Sequence, residues 1–304
     1  MAGDALTAPP VRERSRVAAL SIASNSALIA LKLAAAALTG SVALLTEALH
    51  SSIDLVASVL AFFSVRKAEE PADEDHPYGH DKLEDLAAVA EGVLILVGSM
   101  AITYEAARHL ASGTRIHHIP VALVVLAVSI AVNLLVTRRL RATADRTGSP
   151  ALAADASHLT ADALTSAGVF TGLVLVQLTG AAWLDPVVAL LVAAVIVVEG
   201  VRIVRRGSRS LIDEALPQSE LDEVRRAIAE HGPPVTGFHA LRARRAGAAR
   251  HIDVHVQFAS GTSLEAAHET TGVLKRRIAD ALGGTVHVLI HVEPQDAAGT
   301  LSAG

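Results

Sequence analysis

Six apolar stretches, at about residues 16–39, 41–66, 83–110, 119–140, 152–180 and 183–205, dominate this chain of 304 residues. Each reaches the roughly 20 mainly apolar residues that a helix needs to cross the hydrocarbon core of a bilayer. A backbone inside lipid finds no water to bond, so each stretch must be a helix that satisfies its own amides. The connections fall at TGS, RKAEEPADEDHPYGHDK, SGTRIHH, RATADRTGSP and TGAAWLDP, so turn chemistry agrees with hydropathy. With 51% of its residues in the set AVILMFWYC and a mean hydropathy of +0.44, the chain is expected to be an α-helical membrane protein with six transmembrane helices.

The apolar pattern stops near RRGSRSLIDEALPQSE, and the remainder is charged and rich in turn residues. The expected organisation is a tail at 1–15, the transmembrane domain at 16–206, a linker at 207–217, a soluble regulatory metal-binding domain at 218–295 and a tail at 296–304. The first apolar run is longer than the roughly 7–15 residues of a signal-peptide core, so it reads as a retained span, although AAAALTG resembles a cleavage site. Arginine and lysine collect before the first span, in the loops after the second and fourth, and after the sixth, while the opposite connections carry only Arg108 and Arg115. By the positive-inside rule both termini and the soluble domain face the cytoplasm, as expected for a multi-pass protein of the cell (inner) membrane.

Two spans carry charge that lipid should reject. EALHSSID in the second span and DASHLTAD in the fifth share the pattern acid-x-x-His-x-x-x-Asp. A spacing of four residues puts His50 and Asp54 on one helical face, and likewise His158 and Asp162. The chain has no cysteine, so any metal must be held by nitrogen and oxygen, and disulfides are excluded. Two imidazoles and two carboxylates form a set suited to tetrahedral Zn(II), and the two carboxylates neutralise a divalent ion in a low-dielectric interior. The plainer alternative is hydrogen bonding between helices, or a water cavity without metal. Glu47 and Asp155, one turn away, are either part of an ion path or groups near the water interface. Asn25, Ser26 and Asn133 read as interhelical hydrogen bonders, and GVFTG at 168–172 has the small-residue spacing of a close helix approach.

From 218 the pattern is helix, strand, strand, helix, strand. Leu221, Val224 and Ile228 share a helical face, with Ser219 as N-cap and Gly232 past the end. HIDVHVQF alternates Ile252, Val254, Val256 and Phe258 against Asp253, His255 and Gln257, and TVHVLIHVEP sets Val286, Val288, Ile290 and Val292 against His287, His291 and Glu293. An α+β domain of order αββαβ follows, with its helices on one face of the sheet. A net charge of −5 with basic residues only at span ends gives no support for nucleic-acid binding.

With six spans, His-x-x-x-Asp in the second and fifth, and HPYGHDKLEDLAAVAEG opening the third, the sequence resembles the cation diffusion facilitator family of divalent metal/proton antiporters over residues 15–295. The soluble domain is similar to that family's metallochaperone-like, ferredoxin-like domain. The resemblance implies a transport site at His50, Asp54, His158 and Asp162, and His at the first position resembles zinc-preferring members. It implies a loop site at Asp73, His76 and His80, and a charge pair of Lys82 with Asp213 between the two domains. It implies a metal site of His239, His255, His268, His291 and Glu293 at a homodimer interface. Here the chain departs from relatives in which the Glu293 position is Asp, and Val292 stands where some have a carbonyl ligand. Solvated loop residues and surface histidines are the alternative readings of these outer sites.

The function expected is Zn(II) export in exchange for protons, by alternating access, in a homodimer embedded in lipid, with Zn(II) as substrate and regulatory ligand and no organic cofactor. The alternatives are transport of Cd, Co, Fe or Mn, or a membrane metal sensor that does not transport. No H-E-x-x-H zinc-hydrolase motif and no G-x-x-x-x-G-K-[ST] phosphate loop is present, so neither an intramembrane protease nor an ATP-driven pump is expected.

Overall fold

The structure, a computed structural model, describes residues 11–39, 42–112, 119–181 and 183–295. It separates into two compact units, one of Val11–Ser208 and one beginning at Arg209.

The first unit consists of long helices: α1 (Val11–Thr39), α2 (Val42–Ala68), α3 (Lys82–Ser112), α4 (Ile119–Thr147), α5 (Pro150–Thr179) and α6 (Leu184–Leu211). Among the described residues, α1, α3, α4, α5 and α6 are long and apolar enough to cross a membrane; α2, at 27 residues, is the sixth helix of the bundle. Met100, Tyr104, Val124, Leu135, Leu191 and Val195 stand exposed on α3, α4 and α6, as lipid-facing side chains do. The core between α1 to α5 is built from Ala18, Val65, Ala87, Val136, Leu140, Leu152 and Leu159.

Two helices run past their apolar stretches. The linker expected at RATADRTGSP is helical to Thr147, and α6 continues through Arg202, Arg205, Arg206 and Arg209 to Leu211. Hydropathy marks where lipid ends, whereas a helix ends where a breaker stands. After α4 that breaker is Gly148, with φ of 69°. Ser149 then caps α5 by accepting a hydrogen bond from the Leu152 amide, Pro150 occupies the first turn, and Gly180 ends the helix in the left-handed conformation. Three glycines let α3 and α6 lie close: a Cβ at Gly92 would come 2.8 Å from Val204 Cγ2, at Gly200 2.9 Å from Leu96 Cδ2, and at Gly207 2.6 Å from Val89 Cγ2. Gly168, in the GVFTG stretch, meets Val192 of α6 in the same way at 2.7 Å.

At one end of this unit the half-buried Arg14 of α1 pairs with the buried Glu84 of α3, which also accepts from Ser149. Glu69 accepts a 2.9 Å hydrogen bond from Ser15 and lies 3.9 Å from Arg14. These groups tie the ends of α1, α2, α3 and α5 together.

The second unit has α7 (Gln218–Ala229), β1 (Val235–Ala246), β2 (Ala249–Phe258), α8 (Leu264–Leu282) and β3 (Val286–Pro294), the expected αββαβ order. The sheet runs β1-β2-β3, with β1 antiparallel and β3 parallel to β2. Val224 and Ile228 of α7 and Leu274 and Ile278 of α8 pack on Ile252, Val254, Val256 and Phe258, the face that the alternation predicts. Two details differ. Ser219 lies inside α7, because Pro217 takes the cap position and its carbonyl receives the Leu221 amide. In β3 the burial alternation fails at the end, where Val292 is exposed and Glu293 is buried, because histidines cover the Glu293 carboxylate.

Candidate metal centre

α2 and α5 pack against each other and bring three of the four predicted intramembrane residues together. His158 Nε2 lies 3.2 Å from Asp54 Oδ1 and 4.0 Å from Asp162 Oδ2. One ligand atom from each of the three falls within 4.8 Å of the others. Asp54 and His158 are buried and Asp162 is partly so. The side chains of His50 and Glu47 lie outside the described residues, although both positions belong to α2. A cavity of about 110 Å³ adjoins the triad, walled by Leu94, Val97, Ser99 and Ile102 of α3, Thr165 of α5 and Ile196 of α6. Two carboxylates and an imidazole beside an apolar cavity can neutralise and coordinate a divalent cation.

Asp155 is fully buried in a polar layer one turn from His158. Its Oδ1 accepts from Ser21 at 3.2 Å and from Ser58 at 3.1 Å, and Ser58 in turn receives the Asn25 side-chain amide at 2.8 Å. Asn25 thus bonds between helices as the sequence suggests. Among the charged residues in the spans that escaped the sequence reading, two lie deep in apolar runs. Lys32 of α1 is buried and donates to Ser51 at 2.7 Å, and Glu91 of α3 is completely buried. Both are ionisable residues inside apolar runs, a signal strong enough to have flagged them.

Between α2 and α3, the loop holds Asp73, His76 and His80 as a second convergent group. Asp73 Oδ1 accepts the His76 backbone amide at 2.7 Å and lies 3.1 Å from His76 Nδ1, while Oδ2 is 3.2 Å from His80 Nε2. Gly79, with φ of 89°, makes the turn that brings His80 back to Asp73. The backbone donor of His76, aided by its ring and by His80, holds the Asp73 carboxyl below the usual carboxylate range. His80 is buried and its Nδ1 has no hydrogen-bond partner.

In the second unit β1, β2 and β3 place His239, His255 and His291 side by side. His239 pairs with His255 across β1 and β2, and His255 with His291 across β2 and β3. Beside His239 the register shifts and Ala240 takes φ of 50°, a bulge that aims the imidazole at Glu293. Glu293 lies 2.7 Å from His239 Nε2 and 2.7 Å from His255 Nδ1, with His291 Nε2 at 3.6 Å. His239, followed by His255, holds the Glu293 carboxyl below its ordinary range. His268 stands exposed on α8 and is not part of the convergent group within one chain. Asp213 forms a 2.9 Å ion pair with Arg244 in its own unit; Lys82 belongs to the other.

Known proteins show the same plan. Residues 18–212 match the family model described as the cation efflux transmembrane domain, and residues 216–295 match that of the cation efflux protein cytoplasmic domain. The chain is 34% identical over 277 residues to an uncharacterized transporter of Synechocystis, covering 91% of this chain and 89% of that one. It is 33% identical over 275 residues to the cation-efflux pump FieF of Shewanella oneidensis, covering 90% of this chain and 92% of the pump. It is 30% identical over 300 residues to the metal tolerance protein C1 of Arabidopsis thaliana, covering 94% of this chain and 63% of that protein.

Proposed function

Because this chain belongs to the cation efflux (cation diffusion facilitator) family of multi-pass membrane transporters, we propose that it exports Zn(II) from the cytoplasm in exchange for protons. Metal cation efflux follows from the family; zinc, proton exchange and orientation are the finer reading. The observation that carries it is the convergence of Asp54, His158 and Asp162 between α2 and α5 beside a cavity. Taking His50, four residues before Asp54 in the sequence, as the fourth donor gives two imidazoles and two carboxylates, which suit Zn(II) better than the oxygen-rich sets that hold Mn(II).

Those donors bind metal only after losing their protons. Loading therefore releases protons and protonation expels the ion, which couples the two flows provided that the inward- and outward-facing states differ in affinity. Arginine and lysine at the loops set the termini and the second unit in the cytoplasm, where Asp73, His76 and His80, and His239, His255, His291 and Glu293, are fitted by donor type to hold regulatory Zn(II). In this reading His268 completes the latter set from a second protomer, and Lys82 pairs with Asp213. The domain boundaries proposed are those read from the sequence, with α6 carrying the membrane domain to about residue 208.

The test is Zn(II) uptake into liposomes holding the purified protein, with and without a pH gradient. Gradient-dependent uptake that disappears in Asp54→Ala and Asp162→Ala supports the reading. Movement of Mn(II) or Fe(II) but not Zn(II) removes the zinc assignment, and absence of any flux removes transport in favour of metal sensing.

A further inference from the structure

The transport reading uses Asp54, His158 and Asp162, and leaves Glu91 unexplained. Glu91 is 0% exposed, and neither of its carboxyl oxygens has a hydrogen-bond partner. Asp155, also 0% exposed, has Oδ1 bonded to Ser21 and Ser58 but Oδ2 without a partner. The charges of the two carboxyls act on each other. His158 acts on Asp155, whereas burial and Asp155 are what act on Glu91; a carboxylate in such surroundings is strongly unfavourable, and two sharing one imidazole still call for further positive charge at this place. A single proton neutralises one of the two; a divalent cation neutralises both.

The position of the pair bears on what that cation is. Asp155 precedes His158 by three residues, about 4.5 Å of helix rise, on the same face of α5. Glu91 precedes Leu94 of the cavity wall by the same step along α3, and Ile95 by one residue more. Ala88 and Ala154 pack in one cluster with Ile95 and Ala161, so the two helices run side by side in this region. The cavity extends from the triad toward the Ser112 and Thr179 ends of α3 and α5, whereas Glu91 and Asp155 lie on its opposite side, toward Lys82 and Pro150.

We propose that Glu91 and Asp155, with the Ser21 and Ser58 hydroxyls that are bonded to Asp155, form a second, oxygen-lined cation seat that a divalent ion occupies between the triad and the Lys82 and Pro150 ends of the bundle. This rests on the transport reading of the triad. Each of these donors is an oxygen, so the seat is harder than the triad and holds its ion more weakly than imidazole-containing sets hold Zn(II), as a stop on a path requires.

The experiment counts Zn(II) bound per purified chain by equilibrium dialysis in detergent, in a triad-disabled Asp54→Ala/Asp162→Ala background with and without Glu91→Gln, and measures liposome uptake of Glu91→Gln in the unaltered background. The expected results are the loss of about one bound Zn(II) per chain, and a roughly tenfold fall in uptake at low Zn(II), the factor that ~1.4 kcal/mol of lost affinity gives. Asp155→Asn repeats the result from the other carboxyl, and an unchanged melting temperature shows that the variants fold. An unchanged Zn(II) count overturns the proposal, including the case in which only the pH dependence of uptake moves, since that assigns the pair to protons alone. Uptake that persists in the triad-disabled protein is a separate failure, of the transport site itself.

Discussion

Asp54→Asn keeps the volume of the side chain and one oxygen but removes a negative charge from a buried group. Two unit charges 4 Å apart interact by about 4 kcal/mol at an effective dielectric of about 20. His158 is the nearest charge-bearing neighbour, at 3.2 Å, and a divalent ion held by Asp54 carries twice the charge at a comparable or shorter distance. Dehydration of ion and carboxylate offsets part of that gain, so ~4 kcal/mol is a fair net value, and at ~1.4 kcal/mol per decade it amounts to about a thousandfold in affinity. Zn(II) uptake by liposomes, followed with an entrapped indicator at Zn(II) concentrations well below half-saturation, should therefore drop to background in this variant. Asp162→Asn should behave alike. Asp145→Asn, at an exposed position of α4, should transport normally. Uptake by Asp54→Asn within about threefold of the parent, less than ~1 kcal/mol, refutes the argument that this carboxylate compensates the charge of the transported ion.

Other perturbations test the framework that holds the site. Gly207→Ala places a Cβ 2.6 Å from Val89 and 3.2 Å from the Asp85 carbonyl, and should lower bundle stability by about 1–3 kcal/mol through overpacking, read as a reduced melting temperature in detergent. Glu84→Gln removes the nearer carboxylate from the half-buried Arg14 and leaves it Glu69 at 3.9 Å, and should cost about 1–3 kcal/mol; denaturant unfolding that matches the parent counts against a structural role for this pair. In the second unit burial lowers His251 from its ordinary 6.5 to about 4, with stacked His287 adding to the effect. Its unfolded form takes up a proton that the folded form refuses, so the unit should lose stability as pH falls from about 6.5 to about 4 and change no further below that. Calorimetry of the full chain should show this slope, and His251→Gln should flatten it.

The features legible in the sequence are those governed by one dominant force over many residues. Exclusion of polar backbone from lipid fixes the six long helices, and half-burial fixes the alternation that puts Ile252, Val254, Val256 and Phe258 in the core. The convergence of Asp54, His158 and Asp162 was legible because charge inside a span is costly and the four-residue spacing puts His and Asp on one face. What escaped depended on local or tertiary terms that compete at close to equal strength. α4 outlasts its apolar run because nothing before Gly148 stops it. Val292 and Glu293 exchange exposure because two imidazoles cover one carboxylate. The bulge at Ala240, which aims His239, has no marker such as glycine. Glu91 was visible as a letter, but only the bundle shows that its carboxyl has no donor.

The arrangement around the triad also implies a direction. On one side lies the cavity bordered by Val97, Ile102 and Thr165; on the other, Ser21, Asn25, Ser58, Asp155 and Glu91 fill the space between α1, α2, α3 and α5 with buried polar groups. A cation reaching the triad from the Lys82 and Pro150 ends must part that layer, whereas one reaching it from the Ser112 and Thr179 ends meets the cavity. If the proposed alternating access holds, the cavity side is the open one in the described state, and a second state has the polar layer hydrated and the cavity closed. The chain contains no cysteine, so single introduced thiols report this directly. Thr165→Cys, in the cavity wall, should react with a small water-soluble maleimide in the metal-free protein, and Ala154→Cys, at 2% exposure, should not. Conditions that drive transport should raise the labelling of Ala154→Cys and lower that of Thr165→Cys. Equal labelling of both under all conditions would mean that the triad is reached from the two sides at once, a channel rather than a coupled carrier.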